Sequence, residues 1–535
     1  MPNFQEIAAA VNQAIDHVIE HGLDDIAKPP IFMRSIEHQV IEANAESFRT
    51  EAYRTTLSFL RTRNLTNSPI GNPYYYMVPK DEHTLRRVAW IDPFDVVKYL
   101  SVALLLAPQI ETQRPSKQDN VVHSHRRPDT PGTVFDGDFG YDSFRQASGE
   151  LSRARIGEWK VVTDISNFFD RIGNHPLENH LGDCGCDREI ADLAREILFQ
   201  WSGDRRSFGV PVGSDASRIL SEAALIAVDR ELQRNSVTYV RYVDDYRLFA
   251  ETRAEAYDAV RLLSELLAQE GLTLNNRKTR IFQIQSIAEL PDTTALNVGD
   301  EHERIDESAR ELVQRRVQVS GRTSISRFYR YPGAEALRRL RTLQVGAVVA
   351  AVQNTQGAEQ EEAIRTATKY FVYVRQDVEI LEAVLRAKIT SVFYIVDALV
   401  KDEERIHPNV KEMVRDVLLS EMGVESCPYP FQMPLIRLCA ANGYEDNTLA
   451  NAVINRQRNL DNQHFFREAI LLGFQQLERH TIRRLAMEVF PTVSPPIQRA
   501  IAFSVKNFSR MNDQEKRPLV RNIEQISNDW FVRRF

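Results

Sequence analysis

At 535 residues, with 43% apolar and 26% charged content, the chain is long enough for two or three globular domains with sizeable cores. A formal charge of −7 excludes a surface coated for non-specific nucleic-acid binding, so any strand must be gripped locally. Four scattered cysteines exclude a disulfide framework, and the C-x-C at Cys184 and Cys186 has no second pair at zinc-ligand spacing; reduced structural thiols are expected.

In chain order, Phe4, Ile7, Ala8, Val11, Ile15, Val18 and Ile19 fall on one helical face that ends at Gly22. Pro29–Pro30 breaks the pattern, a second helix is predicted over 35–63, and 67–73 is loop. Apolar runs such as Leu100 to Pro108 are too short to span a bilayer, and no signal-peptide pattern opens the sequence. A cytoplasmic setting without a membrane partner is therefore the expectation. Residues 112–150, rich in polar, Gly and Pro residues, read as a surface excursion, with His123 and His125 solvated rather than metal-bound.

From Trp159 to about Ser286 strands and helices alternate, as in an α+β core. Beyond residue 300 only helical periodicity remains, over 334–352, 363–374, 378–400, 409–419, 467–477 and 481–489. Serial antiparallel helices suggest a HEAT-like α-solenoid, with a compact bundle as the alternative. Two domains are expected, 1–300 and 301–535. Between Arg310 and Arg341 stand nine arginines against two glutamates, with Phe328, Tyr329 and Tyr331 interleaved. Arg315, Arg316, Arg327 and Tyr329 are candidates for gripping a single strand, phosphates by charge and bases by stacking. A solvated helix face with core aromatics is the other reading.

Two segments carry the chemistry. In Thr238–Ala250 two β-rich runs flank an acid pair, which predicts a hairpin with Asp244 and Asp245 at its turn. Neighbouring carboxylates repel and raise one another's pKa unless a cation compensates, so the pair suits Mg²⁺ better than it suits stability. In Trp159–Arg171 a short apolar strand ends at Asp164. Carboxylates converging from two strands can hold Mg²⁺ while leaving waters for phosphate oxygens; a helix N-cap is the bland alternative for Asp164.

Together these segments resemble the signature motifs of reverse transcriptases: Asp164 matches the first catalytic aspartate, and Tyr242-Val243-Asp244-Asp245 matches Tyr-x-Asp-Asp, 80 residues on. Gly209 to Gly213, through Ser217, resembles the motif between the acid sites. Gly271 to Asn275 with Lys278 resembles the later motif whose lysine approaches the triphosphate. Lys80 and Arg86-Arg87 resemble basic residues of the fingers, where cations meet the nucleotide's phosphates. The resemblance implies a right-hand polymerase of fingers and palm, using two Mg²⁺ ions (or Mn²⁺) to add nucleotides. It makes Lys80, Arg86, Phe169, Gly213 and Lys278 nucleotide-binding, with Phe169 as a steric gate favouring dNTPs. A core aromatic is the competing reading of Phe169.

The sequence departs from templated members where Val212 replaces Gln and Arg218 replaces the Pro after Ser217. With the helical half, this resembles the abortive-infection and defence-associated bacterial reverse transcriptases. That subgroup implies anti-phage defence, a homo-oligomer, and single-stranded DNA made without a conventional template, in some members from a tyrosine hydroxyl. Among 17 tyrosines, Tyr53, the Tyr74–Tyr76 run and others in the helical half are undistinguished as primers. Alternatives are an enzyme templated by a bound non-coding RNA, a nucleotidyl cyclase, and a degenerate palm acting as a scaffold or sensor.

Overall fold

The computed structural model describes residues 2–23, 35–63, 65–79, 85–130, 132–203, 207–284, 332–355, 357–422, 429–446, 451–452, 454–455 and 463–535. Lys80 and the arginine-rich candidates Arg315, Arg316, Arg327 and Tyr329 lie outside these residues.

Helix α1 (Phe4–His21) forms as its periodicity predicts. Val11, Ile15 and Val18 are fully buried, Asn3 and Glu6 make a reciprocal capping box, and Gly22 ends the helix at φ +93°. The single helix expected over 35–63 is two, α2 (Ile36–Ala43) and α3 (Ala45–Thr62). They part at Asn44, whose side-chain amide donates to the Val40 carbonyl at 3.0 Å and competes with the helical ladder. A hairpin, β1 (Tyr74–Pro79) and β2 (Leu85–Trp90), leads into α4 (Pro93–Gln113). This helix extends well beyond the 100–108 run and is long and apolar enough to cross a bilayer, but 67% of its most apolar stretch is buried, as in a core helix.

After α5 (Tyr141–Ala154) comes β3 (Trp159–Asp164), then α6 (Phe168–Arg171), α7 (Asn174–Asp183), α8 (Arg188–Ser202), α9 (Asp215–Ala223) and α10 (Ile226–Arg234). The hairpin β4 (Thr238–Tyr242) and β5 (Asp245–Ala250), helix α11 (Arg253–Gln269) and β6 (Arg280–Gln283) complete an antiparallel sheet of order β4-β5-β3-β6. Strand alternation separates its faces. Tyr239, Arg241 and Tyr246 point to the side of α10, where the Tyr239 hydroxyl donates to Asp229 Oδ1 at 3.1 Å. Lys160, Asp164, Asp245 and Arg247 share the other face with α5, which sets Phe144 5.2 Å from the Arg247 guanidinium.

The expected surface excursion is a correction. Its residues strap the outer edge of β4, with Arg241 N donating to Val121 O (2.7 Å) and His123 N to Arg241 O (2.9 Å). His123 and His125 are 0% and 8% exposed, not solvated. The His123 ring nitrogens face Ser143 Oγ and the Asn120 carbonyl, so the polar composition signalled internal hydrogen bonding rather than contact with water.

The C-terminal region is mostly helical, with two differences from expectation. The 334–352 stretch divides into Ala334–Leu340 and Val345–Asn354, and 378–400 into Val378–Ala387 and Ser391–Lys401, where Lys388 adopts an extended backbone. Val345–Asn354 packs on Val378–Ala387, which packs on Pro408–Met422; Ser391–Lys401 packs on Tyr429–Cys439, which packs on Gln463–Gly473. The β1–β2 hairpin joins this region's core through Tyr76, Val88 and Trp90. A buried ion network fastens the junction: Arg467 Nη2 to Glu37 Oε2 at 2.6 Å, and Arg499 Nη2 to Asp92 Oδ2 and Asp529 Oδ2, both at 2.7 Å. The hairpin bearing Arg86 is thus positioned by the helical region as well as by the sheet domain.

Candidate active site

β3 ends at Asp164, and the antiparallel register sets Asp164 directly across from Asp245. The hairpin turn falls one residue earlier than expected. Val243 and Asp244 form it, while Asp245 opens β5 opposite Tyr242. Pairing with β3 as well as β4 is what draws Asp245 into the strand. Val243 has φ +55°, a conformation costly for a β-branched residue and usual for glycine at this place in a two-residue hairpin. Two bonds hold it there, Arg241 Nη1 to Val243 O at 2.9 Å and Ile165 N to Asp244 O at 3.0 Å. Backbone held against its preference at a functional turn is a recurrent feature of such sites.

Asp164 is buried, and its Oδ2 accepts from Lys278 Nζ at 2.6 Å. Its Oδ1 is buried without a hydrogen-bond partner. The turn bearing Lys278 is docked by Asn275 N on the Asp164 carbonyl (2.8 Å) and by the Thr163 and Thr279 hydroxyls (2.8 Å). Lys278, expected near a triphosphate, here neutralises the carboxylate itself. Among the described residues no three His, Cys, Asp or Glu side chains form a metal cage. Mg²⁺, however, keeps waters and takes one or two carboxylates plus phosphate oxygens. An orphaned buried carboxylate oxygen on Asp164, with Asp245 across the ladder and Asp244 in the adjoining turn, fits that donor requirement.

The 209–213 loop ties together several of the other predicted residues that the structure describes. Its Val210 N donates to Phe169 O (2.9 Å), and its Val212 carbonyl accepts from Ala89 N of β2 at 3.5 Å. The loop therefore links half-buried Phe169, Gly213 (φ +108°) and the hairpin carrying half-buried Arg86. Arg87 stacks on Tyr75, 3.4 Å from the ring centroid, and the Tyr75 hydroxyl donates to Trp201 O. Tyr76 is buried against Phe465, and Tyr53 on α3 is half-buried against the core that α1 and α4 share with the four-stranded sheet. Arg218, where a proline was expected, is buried and ion-paired with Asp215 at 2.8 Å; burial pulls its pKa down to about 10, opposed by nearby Tyr242. Cys184, Cys186 and Cys439 are free thiols.

Sequence reasoning missed the buried charges behind the turn. Arg241 is 0% exposed and gives Nε to Asp229 Oδ1 (3.0 Å), Nη2 to Asp229 Oδ2 (2.5 Å) and Glu222 Oε2 (3.1 Å), and Nη1 to the Val243 carbonyl. Glu222 also accepts from Arg114 Nη2 at 3.0 Å. The available signal was an arginine between Val240 and Tyr242 in a run otherwise apolar, since a buried guanidinium demands carboxylates elsewhere.

Burial alone would push the Glu222 carboxyl up, but the Arg114 and Arg241 guanidiniums overcome it and hold the group well below the usual range. A carboxyl depressed by folding stabilises the protein above its unfolded pKa, about 4.3, and that contribution is lost as pH falls toward the folded value. Denaturant unfolding at stepped pH should therefore show Glu222→Gln less stable than wild type at neutral pH, with the deficit shrinking below pH of about 4. A deficit independent of pH would show that Glu222 is not held ionised.

No curated protein matches the chain in sequence. Among solved structures, telomerase from Candida albicans in complex with a TWJ fragment of telomeric RNA is 12% identical, with TM-score 0.28, covering 66% of this chain and 64% of that one. Apo telomerase from Candida Tropicalis is 10% identical, with TM-score 0.30, covering 68% of each. The chain thus spans just under two thirds of the first structure's length, and likenesses at such scores carry no functional argument. Residues 117–318, which hold β3 to β6 and all three aspartates, match the family described as reverse transcriptase (RNA-dependent DNA polymerase). Residues 117–318 therefore make up a reverse transcriptase domain.

Proposed function

We propose that this chain adds deoxynucleotides to a growing DNA strand without a conventional template, starting from a protein tyrosine, as part of anti-phage defence. The observation that carries the polymerase reading is the Asp164–Asp245 register, with an orphaned carboxylate oxygen on Asp164 and Asp244 adjoining. Asp164, Asp244 and Asp245 would hold Mg²⁺ or Mn²⁺, which when bound supplies Lewis-acid stabilisation of the transferring phosphoryl group. Lys278, 56% exposed and ion-paired with Asp164, is long enough to exchange that carboxylate for a phosphate oxygen. Phe169 bounds the sugar. Phe169→Ala is expected to reduce discrimination against ribonucleotides by at least ~10-fold, about 1.4 kcal/mol; unchanged selectivity in paired dNTP and rNTP kinetics would remove the gate role.

Template independence is supported by Val212, which lacks an amide to read a base pair, and by Arg218, engaged with Asp215 below the surface. The defence role and the homo-oligomer rest on the resemblance, and a division near residue 300 on the change to purely helical periodicity there. A HEAT-like reading of the C-terminal region is supported by its helices packing on those two places along. Synthesis on a bound non-coding RNA is the second reading, favoured by the RNA-dependent description of the matching family.

The test is incubation of the purified protein with labelled dNTPs and Mg²⁺, without primer or template, with Asp244→Ala as control. Product whose mobility changes on protease digestion is expected. Incorporation only with added or copurified RNA would overturn the template-free reading, and none under any condition would favour a scaffold.

A further inference from the structure

Four residues before Asp164, on the same sheet face, stands a lysine that the acid site does not use. Lys160 is 8% exposed, and its ammonium donates to Ser148 Oγ at 3.0 Å and Ser152 Oγ at 3.1 Å, one turn apart on α5. It forms the floor of a cavity of about 390 Å³, walled by Arg145, Ser148, Gly149, Ser152 and Arg153, with Gln146 and the carboxylate of Asp142 also lining it. Three cations thus face one acid. The cavity falls within the size range of ligand pockets.

The donor set is specific in kind. Guanidinium forks, serine hydroxyls and a buried ammonium together match the several acceptor oxygens and the charge of a phosphate group. Ser148 and Ser152, and Arg145 and Arg153, repeat at helical spacing, so α5 presents them as one stripe. Gly149 lies in the middle of that stripe although glycine is a poor helix former; its missing side chain keeps the wall open. The strand rise places Lys160 about 13 Å from Asp164 along β3, so a strand ending at the acids would reach the pocket within a few nucleotides.

We infer that this pocket binds a backbone phosphate of the nucleic-acid strand held by the enzyme. The inference rests on the polymerase reading for its choice of strand over free phosphate. The test is fluorescence anisotropy of the full-length protein with a labelled single-stranded oligodeoxynucleotide in EDTA, across a salt series, with inorganic phosphate and pyrophosphate as competitors. Gly149→Leu fills the cavity, keeps every charge and favours the helix, while Arg145→Ala and Arg153→Ala each remove a wall cation. Each variant is expected to bind about 5- to 10-fold more weakly, and each arginine variant to lower the salt slope by about 0.7. Wild-type affinity and slope in Gly149→Leu and in both arginine variants would overturn the inference. Normal strand binding with lost pyrophosphate competition would assign the pocket to free phosphate and equally overturn it. Because EDTA removes catalysis from the readout, weaker binding by the variants of a protein that never incorporates dNTPs would sink the polymerase reading and leave the pocket standing.

Discussion

Asp245→Asn is expected to reduce dNTP incorporation by at least ~1,000-fold, about 4 kcal/mol at the transition state, while leaving the unfolding midpoint unchanged or raised. The carboxylate is 3% exposed, faces Asp164 across the ladder and follows Asp244 directly. Three acids gathered at one sheet end repel unless a cation compensates, so an isosteric amide relieves repulsion and removes a metal donor. Two readouts separate the effects. Mg²⁺ should raise the melting temperature of wild type by mass action and raise that of Asp245→Asn much less, and incorporation should vanish even where the variant is fully folded. Activity within ~10-fold of wild type, or an unchanged Mg²⁺ response, would remove Asp245 from the metal site.

Arg241→Met should be among the most destabilising single changes in the sheet domain, about 3–5 kcal/mol, because it strands Asp229 as a buried carboxylate and leaves Glu222 with Arg114 alone. Arg241→Lys keeps the charge but cannot serve Asp229, Glu222 and the Val243 carbonyl together, which the planar fork does at 2.5–3.1 Å. It should fold at low temperature yet lose activity beyond its folded fraction, since the turn beside the acids depends on that carbonyl bond. Combining Arg241→Met with Asp229→Asn should recover part of the stability, the mark of a direct pairing in a double-mutant cycle. Urea unfolding monitored by tryptophan fluorescence measures the stabilities, and dNTP incorporation at matched folded fraction measures the activity. An Arg241→Met protein within ~1 kcal/mol of wild type would show that the network is incidental to the fold.

Much of the site was legible in the chain because its signals are local. Apolar alternation on both sides of the acid pair predicted a hairpin, the short run before Asp164 predicted a strand ending there, and Asn3 and Gly22 bracket a helix whose apolar residues keep a steady period. The helical character of the C-terminal region was also periodic and so visible, although the extended backbone at Lys388 that divides one stretch was not.

Tertiary structure decided the rest. Register with β3 made Asp245 a strand residue and moved the turn to Val243–Asp244, and a partner more than a hundred residues away drew Lys278 onto Asp164. Enclosure by the strap and α5 turned two apparently solvated histidines into buried ones, and gathered Arg241, Glu222, Asp229 and Arg114 from separate elements into one network. Amino-acid order by itself determined which segments are helix or strand, because backbone preference and side-chain period act over a few residues. Which strands pair, and which charges leave water together, depends on contacts made only once the chain has closed on itself.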